Sequence, residues 1–218
     1  MKKFIAAGLA LCMAFMLAAC GASPSSTASQ AGSGTSAAAD GSAVTIKLGG
    51  IGPITGSTAV YGEAVMNGAQ IAVDEINASD SAVKFEYNFQ DDEGDAETAV
   101  NAYNILKDWG MQVLMGTVTT APCLAVISET EADNMFQITP SASSTDVIVP
   151  DNVFQVCFTD PNQGVSAADY IADNGLATKV AAIYDSSDAY SSGIYNAFAA
   201  EAEACLLYTL TLPTIYSV

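Results

Sequence analysis

From residue 44 onward the chain alternates between short apolar segments of strand type and longer segments with helical spacing. Val44, Ile46 and Leu48 alternate with polar residues and predict a strand, with Gly49-Gly50 expected to begin a turn. Val65, Ala69, Ala72, Val73 and Ile76 then fall on one face at three- and four-residue spacing, which predicts a helix. Val83, Phe85, Tyr87 and Phe89 predict a second strand, and Ala99, Tyr103, Leu106 and Trp109 a second helix. The pattern continues with strands expected over 112–115, 135–138, 152–157 and 180–184, and helices over 121–132, 162–172 and 191–204. Parallel strands need a crossover, and a helix supplies it, so repeated strand–helix units predict an α/β fold built on a mainly parallel sheet. In such sheets ligands bind beyond the carboxyl ends of the strands, so the loops after strands are where function is sought.

Three of those loops are rich in hydroxyls and lead toward helices. Thr117-Val118-Thr119-Thr120-Ala121-Pro122 follows one strand, and Pro122 suits the first turn of a helix. Thr139-Pro140-Ser141-Ala142-Ser143-Ser144 follows another, and the polar loop from Gly52 to Tyr61 follows the first strand. A helix N-terminus carries free N–H groups and the positive end of a dipole, so it can hold a small anion without arginine. The same residues have a plainer reading as helix N-caps.

Charge narrows the function classes. The sequence holds 24 Asp and Glu against 6 Lys and Arg, has no histidine, and carries a formal net charge of −18. Nucleic acid is therefore excluded as a partner, since it requires a basic surface. Imidazole metal sites and His-dependent catalytic triads are excluded outright. No metal or cofactor is expected: Asp91, Asp92 and Asp95 lack the spaced ligands and closing Glu of a calcium loop and read as a solvated strand-to-helix turn. Cys123, Cys157 and Cys205 match no metal or redox spacing, and an enzyme using Cys123 as nucleophile would have no histidine to activate it. The expectation is a binding protein and not an enzyme.

The first twenty residues have the layout of an export segment. Lys2 and Lys3 precede an apolar run from Phe4 to Met16, too short for a membrane span. Leu17-Ala18-Ala19-Cys20-Gly21 resembles the bacterial lipobox, which implies lipidation of Cys20 and attachment to the outer face of the cell membrane. Residues 21–43 are almost wholly Ser, Ala, Gly and Thr and are expected to form a flexible tether.

Order and spacing carry a further resemblance. Ile46 to Gly56, then Tyr61-Gly62, Asn67-Gly68-Ala69 and Asp74-Glu75-Ile76-Asn77 open it. Asp91-Asp92, Thr119-Thr120, Ile138 to Ser143, Phe158-Thr159-Asp160 with Gln163-Gly164, and Tyr184-Asp185 with Tyr190 and Gly193 continue it. Together these resemble the branched-chain amino-acid (leucine/isoleucine/valine) binding family, the type I periplasmic binding proteins that serve ABC importers. The resemblance implies two Rossmann-like lobes with parallel sheets, lobe one over 44–158 and the start of lobe two over 159–204. It implies a monomer that captures an amino acid, branched-chain or otherwise aliphatic, and passes it to ABC permease subunits by hinge closure. A sensor module for amino acids or amides is the alternative on the same fold. By position, Thr120, with Thr119 beside it, falls where the ligand carboxylate is held. Ser141, Ala142 and Ser143 fall where backbone and hydroxyl meet the carboxylate and ammonium. Tyr61 and Tyr190 fall where tyrosines wall the side-chain pocket from the two lobes, with a second reading as packing aromatics. Asp160 is read as a cap of the following helix in preference to an ammonium partner.

From Cys205 the chain departs from the family pattern. Residues 205–218 are expected to be an aberrant tail of assembly origin, with an apolar strand as the alternative. Lobe two is then expected to be incomplete, with weak binding or none by the 218 residues and an exposed apolar sheet edge.

Overall fold

A computed structural model describes residues 43–205 and the backbone of 208–211. Cys20, almost all of the tether and most of the tail lie outside the described residues.

Five strands form one wholly parallel sheet: β1 (Val44–Gly52), β2 (Val83–Asp91), β3 (Val113–Met115), β4 (Gln137–Thr139) and β5 (Val153–Gln155), in the order β2-β1-β3-β4-β5. Their crossovers carry α1 (Ala59–Ala78), α2 (Ala96–Trp109), α3 (Thr120–Ala132) and, between β4 and β5, a short 3-10 turn (Thr145–Ile148). Beyond it come α4 (Asp160–Asp173), β6 (Lys179–Ala182), α5 (Ala189–Ala204) and β7 (Tyr208–Thr211), with β6 and β7 paired in parallel as a second sheet. The alternation predicts this architecture, and the strand order reverses beside β1 as in doubly wound sheets.

The first strand differs from expectation. Gly49-Gly50 does not turn; β1 runs on to Gly52, each residue registered against β2. The reason is packing. A β-carbon on Gly49 would lie 2.1 Å from the Met111 sulfur, and one on Gly50 would lie 2.3 Å from the Phe89 ring. Glycine here makes room inside a sheet for large neighbours, a role that local sequence does not reveal.

The main core lies on one face of the sheet. Ile51 and Leu114 meet Ala99, Ala102, Tyr103 and Leu106 of α2 and Val126 of α3, all buried. Asp95 caps α2, its Oδ1 accepting from the Thr98 N–H at 2.8 Å, and Gly110 ends the helix with φ +89°. The opposite face carries α1 against β1 and β2. There α1 buries only Gly62 and Val73, so its predicted apolar stripe is half realised: Ile76 is exposed, as are Val60 and Ile71 nearby. Phe136 and Phe154 stack with centroids 5.2 Å apart yet remain 44% and 49% exposed. The exposed apolar surface is thus a sheet face as well as an edge.

Candidate functional site

Parallel neighbours place their carboxyl ends side by side, so the loops after β3 and β4 open at one sheet edge. Side-chain hydroxyls stitch them together. Thr139 Oγ1 donates to the Thr117 carbonyl at 2.7 Å and accepts from the Ala142 N–H at 3.0 Å, and Ser141 Oγ donates to the Val118 carbonyl at 2.6 Å. Thr117 Oγ1 in turn donates to the Thr119 carbonyl at 3.0 Å. The hydroxyl-rich composition of these loops therefore has a first use as internal scaffolding.

Within this frame Thr119 is the N-cap residue of α3, and Thr120 and Pro122 lie buried in its first turn. Thr119 makes no side-chain cap bond, and its buried Oγ1 has no hydrogen-bond partner among the described residues. The Thr120 and Ala121 N–H groups have no acceptor within the helix, as at any helix start. One polar hydroxyl and the positive end of a helix dipole thus converge without an internal partner.

Ala142 is fully buried and Ser143 nearly so, whereas Ser141 is exposed. The Ala142 N–H is already engaged by Thr139, and the Ala142 carbonyl accepts from Gln155 Nε2 at 2.6 Å. The Ser143 carbonyl accepts from the Asp160 N–H at 2.9 Å, which ties the loop after β4 to the start of α4.

Asp160 is not the cap that the sequence reading expects. Thr159 is the N-cap residue; Asp160 is the first helical residue, 1% exposed, and its Oδ2 has no hydrogen-bond partner among the described residues. Burial raises its pKa above the ordinary carboxylate value; the Ser143 hydroxyl opposes the shift and the Asp188 carboxylate adds to it.

Tyr190, in the first turn of α5, and Tyr61, in the first turn of α1, are 43% and 62% exposed. The Tyr190 phenol is raised first by burial and then by the Asp160 carboxylate and by Tyr61, while Gln163 opposes the shift. Tyr190 is thus influenced by both Asp160 and Tyr61, and Asp160 by Ser143.

The Asp91-Asp92-Asp95 group divides into three roles. Asp91 pins the loop after β1, accepting from the Ile54 N–H at 2.9 Å and the Thr55 hydroxyl at 2.6 Å. Asp95 caps α2. Asp92 is fully buried, which corrects the reading of a wholly solvated turn. Cys123 is buried too, and burial pushes its thiol up to about 11, so it stays neutral rather than a reactive thiolate.

Comparison with known proteins places this site in context. The family model described as Periplasmic binding protein matches residues 45–206. The Leu/Ile/Val-binding protein homolog 3 of Brucella melitensis is 34% identical over 159 residues, 71% of this chain and 43% of that protein. The Leu/Ile/Val-binding protein BraC3 of Rhizobium johnstonii is 34% identical over 163 residues, 73% of this chain and 44% of that protein. Among solved structures, the leucine binding protein LivK of Thermotoga maritima superposes with a TM-score of 0.72 at 26% identity, over 78% of this chain and 49% of that one. LivJ of Streptococcus pneumoniae, solved in complex with isoleucine, gives 0.69 at 27% identity, over 78% and 48%. The chain thus spans less than half the length of these curated relatives. The matched segment takes in nearly all of the five-stranded sheet, both hydroxyl loops and the helices that carry Tyr61 and Tyr190, and the chain belongs to the periplasmic binding protein family, with the type I fold.

Proposed function

We propose that this chain forms the ligand-holding part of an extracytoplasmic receptor that captures a branched-chain or other aliphatic amino acid for an ABC importer. The observation that carries the reading is the N-terminus of α3, where the buried Thr119 hydroxyl has no hydrogen-bond partner among the described residues and the Thr120 and Ala121 N–H groups have no acceptor within the helix. That arrangement suits a carboxylate, and a chain without arginine has few other ways to hold one. Ser141, Ala142 and Ser143 line the neighbouring loop, and Tyr61 and Tyr190 supply apolar walls with polar tips. The names of the relatives, Leu/Ile/Val-binding proteins, favour an aliphatic side chain. Hinge closure between two lobes, a monomeric state and delivery to permease subunits complete the proposal.

Both hydroxyl loops are intact among the described residues, so of weak binding and none the reading commits to weak, millimolar binding by this chain. A thermal-shift panel tests it. A ligand at ten times its Kd contributes about 1.4 kcal/mol, which raises the melting temperature of a domain this size by about 3–6 °C. L-Leucine, L-isoleucine and L-valine at millimolar concentration are expected to raise it, and L-glutamate and L-lysine to leave it unchanged. No rise with any aliphatic amino acid, or an equal rise with all five, would contradict the reading.

Attachment to the membrane through Cys20 is proposed with it, on the basic start, the short apolar run and the Leu17-Ala18-Ala19-Cys20-Gly21 motif. No helix among the described residues is long and apolar enough to cross a membrane. Metabolic labelling with an alkyne fatty acid in a bacterial host is expected to mark the protein, and Cys20→Ser to abolish the label and move the protein out of the membrane fraction. Label retained in Cys20→Ser would refute the anchor.

A further inference from the structure

Two cysteines that the candidate site leaves unused meet at one loop. Cys123, in α3, is fully buried in one apolar cluster with Ala142 and Val147, and its Sγ accepts from Gln137 Nε2 at 3.5 Å. Cys157 reaches the same loop from the link between β5 and α4. Its Sγ donates to the Ala142 carbonyl at 3.7 Å, and the N–H of Val156 beside it donates to the Thr139 carbonyl at 3.1 Å. The Thr139 hydroxyl in turn holds the Ala142 N–H and acts on the Cys123 thiol, as does Cys157 itself. The turn from Thr139 to Ala142 therefore has both thiols as neighbours, although their spacing in the sequence matches no redox motif.

Both thiols are free in this structure. Cys157 is half-buried and belongs to no strand or helix, whereas Cys123 is fixed near the start of α3, so Cys157 is the one that meets a reagent first. We propose that Cys123 and Cys157 are a redox-active pair that closes into a disulfide beside Ala142, clamping the loop after β4 against α3 and the β5–α4 link. The oxidant is a small-molecule disulfide. The Cys157 thiolate attacks one of its sulfurs, releasing one small thiol and leaving a mixed disulfide; Cys123 then loses its proton, attacks the Cys157 sulfur and expels the second small thiol. Two electrons pass from the pair to the oxidant, and the two protons end on the released thiols. Closure draws the Cys157 link toward α3 until the two Cα atoms stand within about 7 Å. An oxidising compartment belongs to the extracytoplasmic reading above, whereas the pairing itself depends only on these two side chains.

The test uses the folded 218-residue chain and oxidised glutathione at mildly alkaline pH, which offsets the rise that burial gives both thiols. Remaining thiols are then blocked under denaturing conditions, and the peptides are mapped by mass spectrometry. The expected result is a peptide pair linked through Cys123 and Cys157, with both cysteines protected from the blocking reagent. Because the bond closes a long loop, the oxidised protein is expected to melt about 5–15 °C above the reduced one, and dithiothreitol to reverse the rise. Cys157→Ser changes only a half-buried thiol and is expected to show neither the linked pair nor the rise. Both cysteines left open to blocking, glutathione retained on Cys157 with Cys123 free, or a bridge to any other cysteine in its place overturns the pairing. A linked pair that melts no higher than the reduced protein overturns the clamp. None of these outcomes involves an amino-acid ligand, so the pairing stands or falls separately from the binding reading.

Discussion

Replacing Gly62 with alanine is expected to destabilise the chain by about 2–4 kcal/mol, lowering its melting temperature by about 5–15 °C. A β-carbon at this position would lie 1.8 Å from the Pro53 carbonyl oxygen and 2.5 Å from its carbon. These are backbone atoms, so nothing can swing aside, and either α1 or the loop after β1 must move. That loop is fixed at its other side by Asp91, through the Ile54 N–H and the Thr55 hydroxyl. Tyr61 precedes the glycine, so the displacement that relieves the clash also moves a candidate site residue, and the response to leucine is expected to weaken. Gly68→Ala is the control on the same helix. Its β-carbon would meet nothing within 4 Å, and alanine is the better helix former by about 0.5–1 kcal/mol, so that variant should melt slightly higher. Circular-dichroism melts decide, and equal melting of Gly62→Ala and wild type would mean that α1 does not sit against Pro53.

The second large effect concerns Asp92 and depends on pH. Its side chain is fully buried, its Oδ1 accepts from the Gly94 N–H at 2.9 Å, and Oδ2 has no partner among the described residues. Burial pushes its pKa up to about 6; the Gly94 N–H opposes this, and the neighbouring Asp91 and Asp95 charges add to the rise. The folded protein therefore binds this proton more tightly than the unfolded chain does. The stabilisation is fully present below the unfolded value near 4 and is lost as pH rises through about 6. A shift of roughly two units corresponds to about 3 kcal/mol. Asp92→Asn keeps the acceptor for Gly94 and removes the charge. It is expected to melt about 5–10 °C above wild type at pH 7.5 and level with it near pH 4. Asp91 and Asp95 shift the opposite way, both held below the ordinary value, and they remain in both proteins, so the comparison isolates Asp92. An equal difference between the proteins at both pH values would show that the effect is packing rather than ionisation.

Both cases mark how far the sequence could be read. Strand–helix alternation is written in apolar spacing, which is why the parallel sheet and nearly every helix are legible from residue 44 onward. Gly49-Gly50 looks like a turn because glycine usually serves turns, whereas here Met111 and Phe89 arrive from distant segments to fill the space. The burial of Asp92 and Asp160 is equally invisible locally. Thr159-Asp160-Pro161 has the composition of a helix start, and the approach of α5 at Gly193 against the Asp160 side chain comes from a distant segment. Thr117 and Thr139 were readable as loop hydroxyls, but their use as stitches between two loops needs β3 and β4 to be neighbours. Tyr61 and Tyr190 came from family resemblance alone, since no spacing rule joins residues so far apart. Tyr61 adds to the rise of the Tyr190 phenol, a link that the sequence did not contain.

The most direct measurement is a residue-resolved amide titration of the chain with L-leucine. The predicted result is saturable shifts concentrated at 117–121 and 141–144, with smaller changes around Tyr61, Asp160 and Tyr190, and a midpoint in the millimolar range. Shifts scattered over the exposed apolar surface around Phe136 and Phe154, or no saturable shift at all, would contradict an amino-acid site at the start of α3.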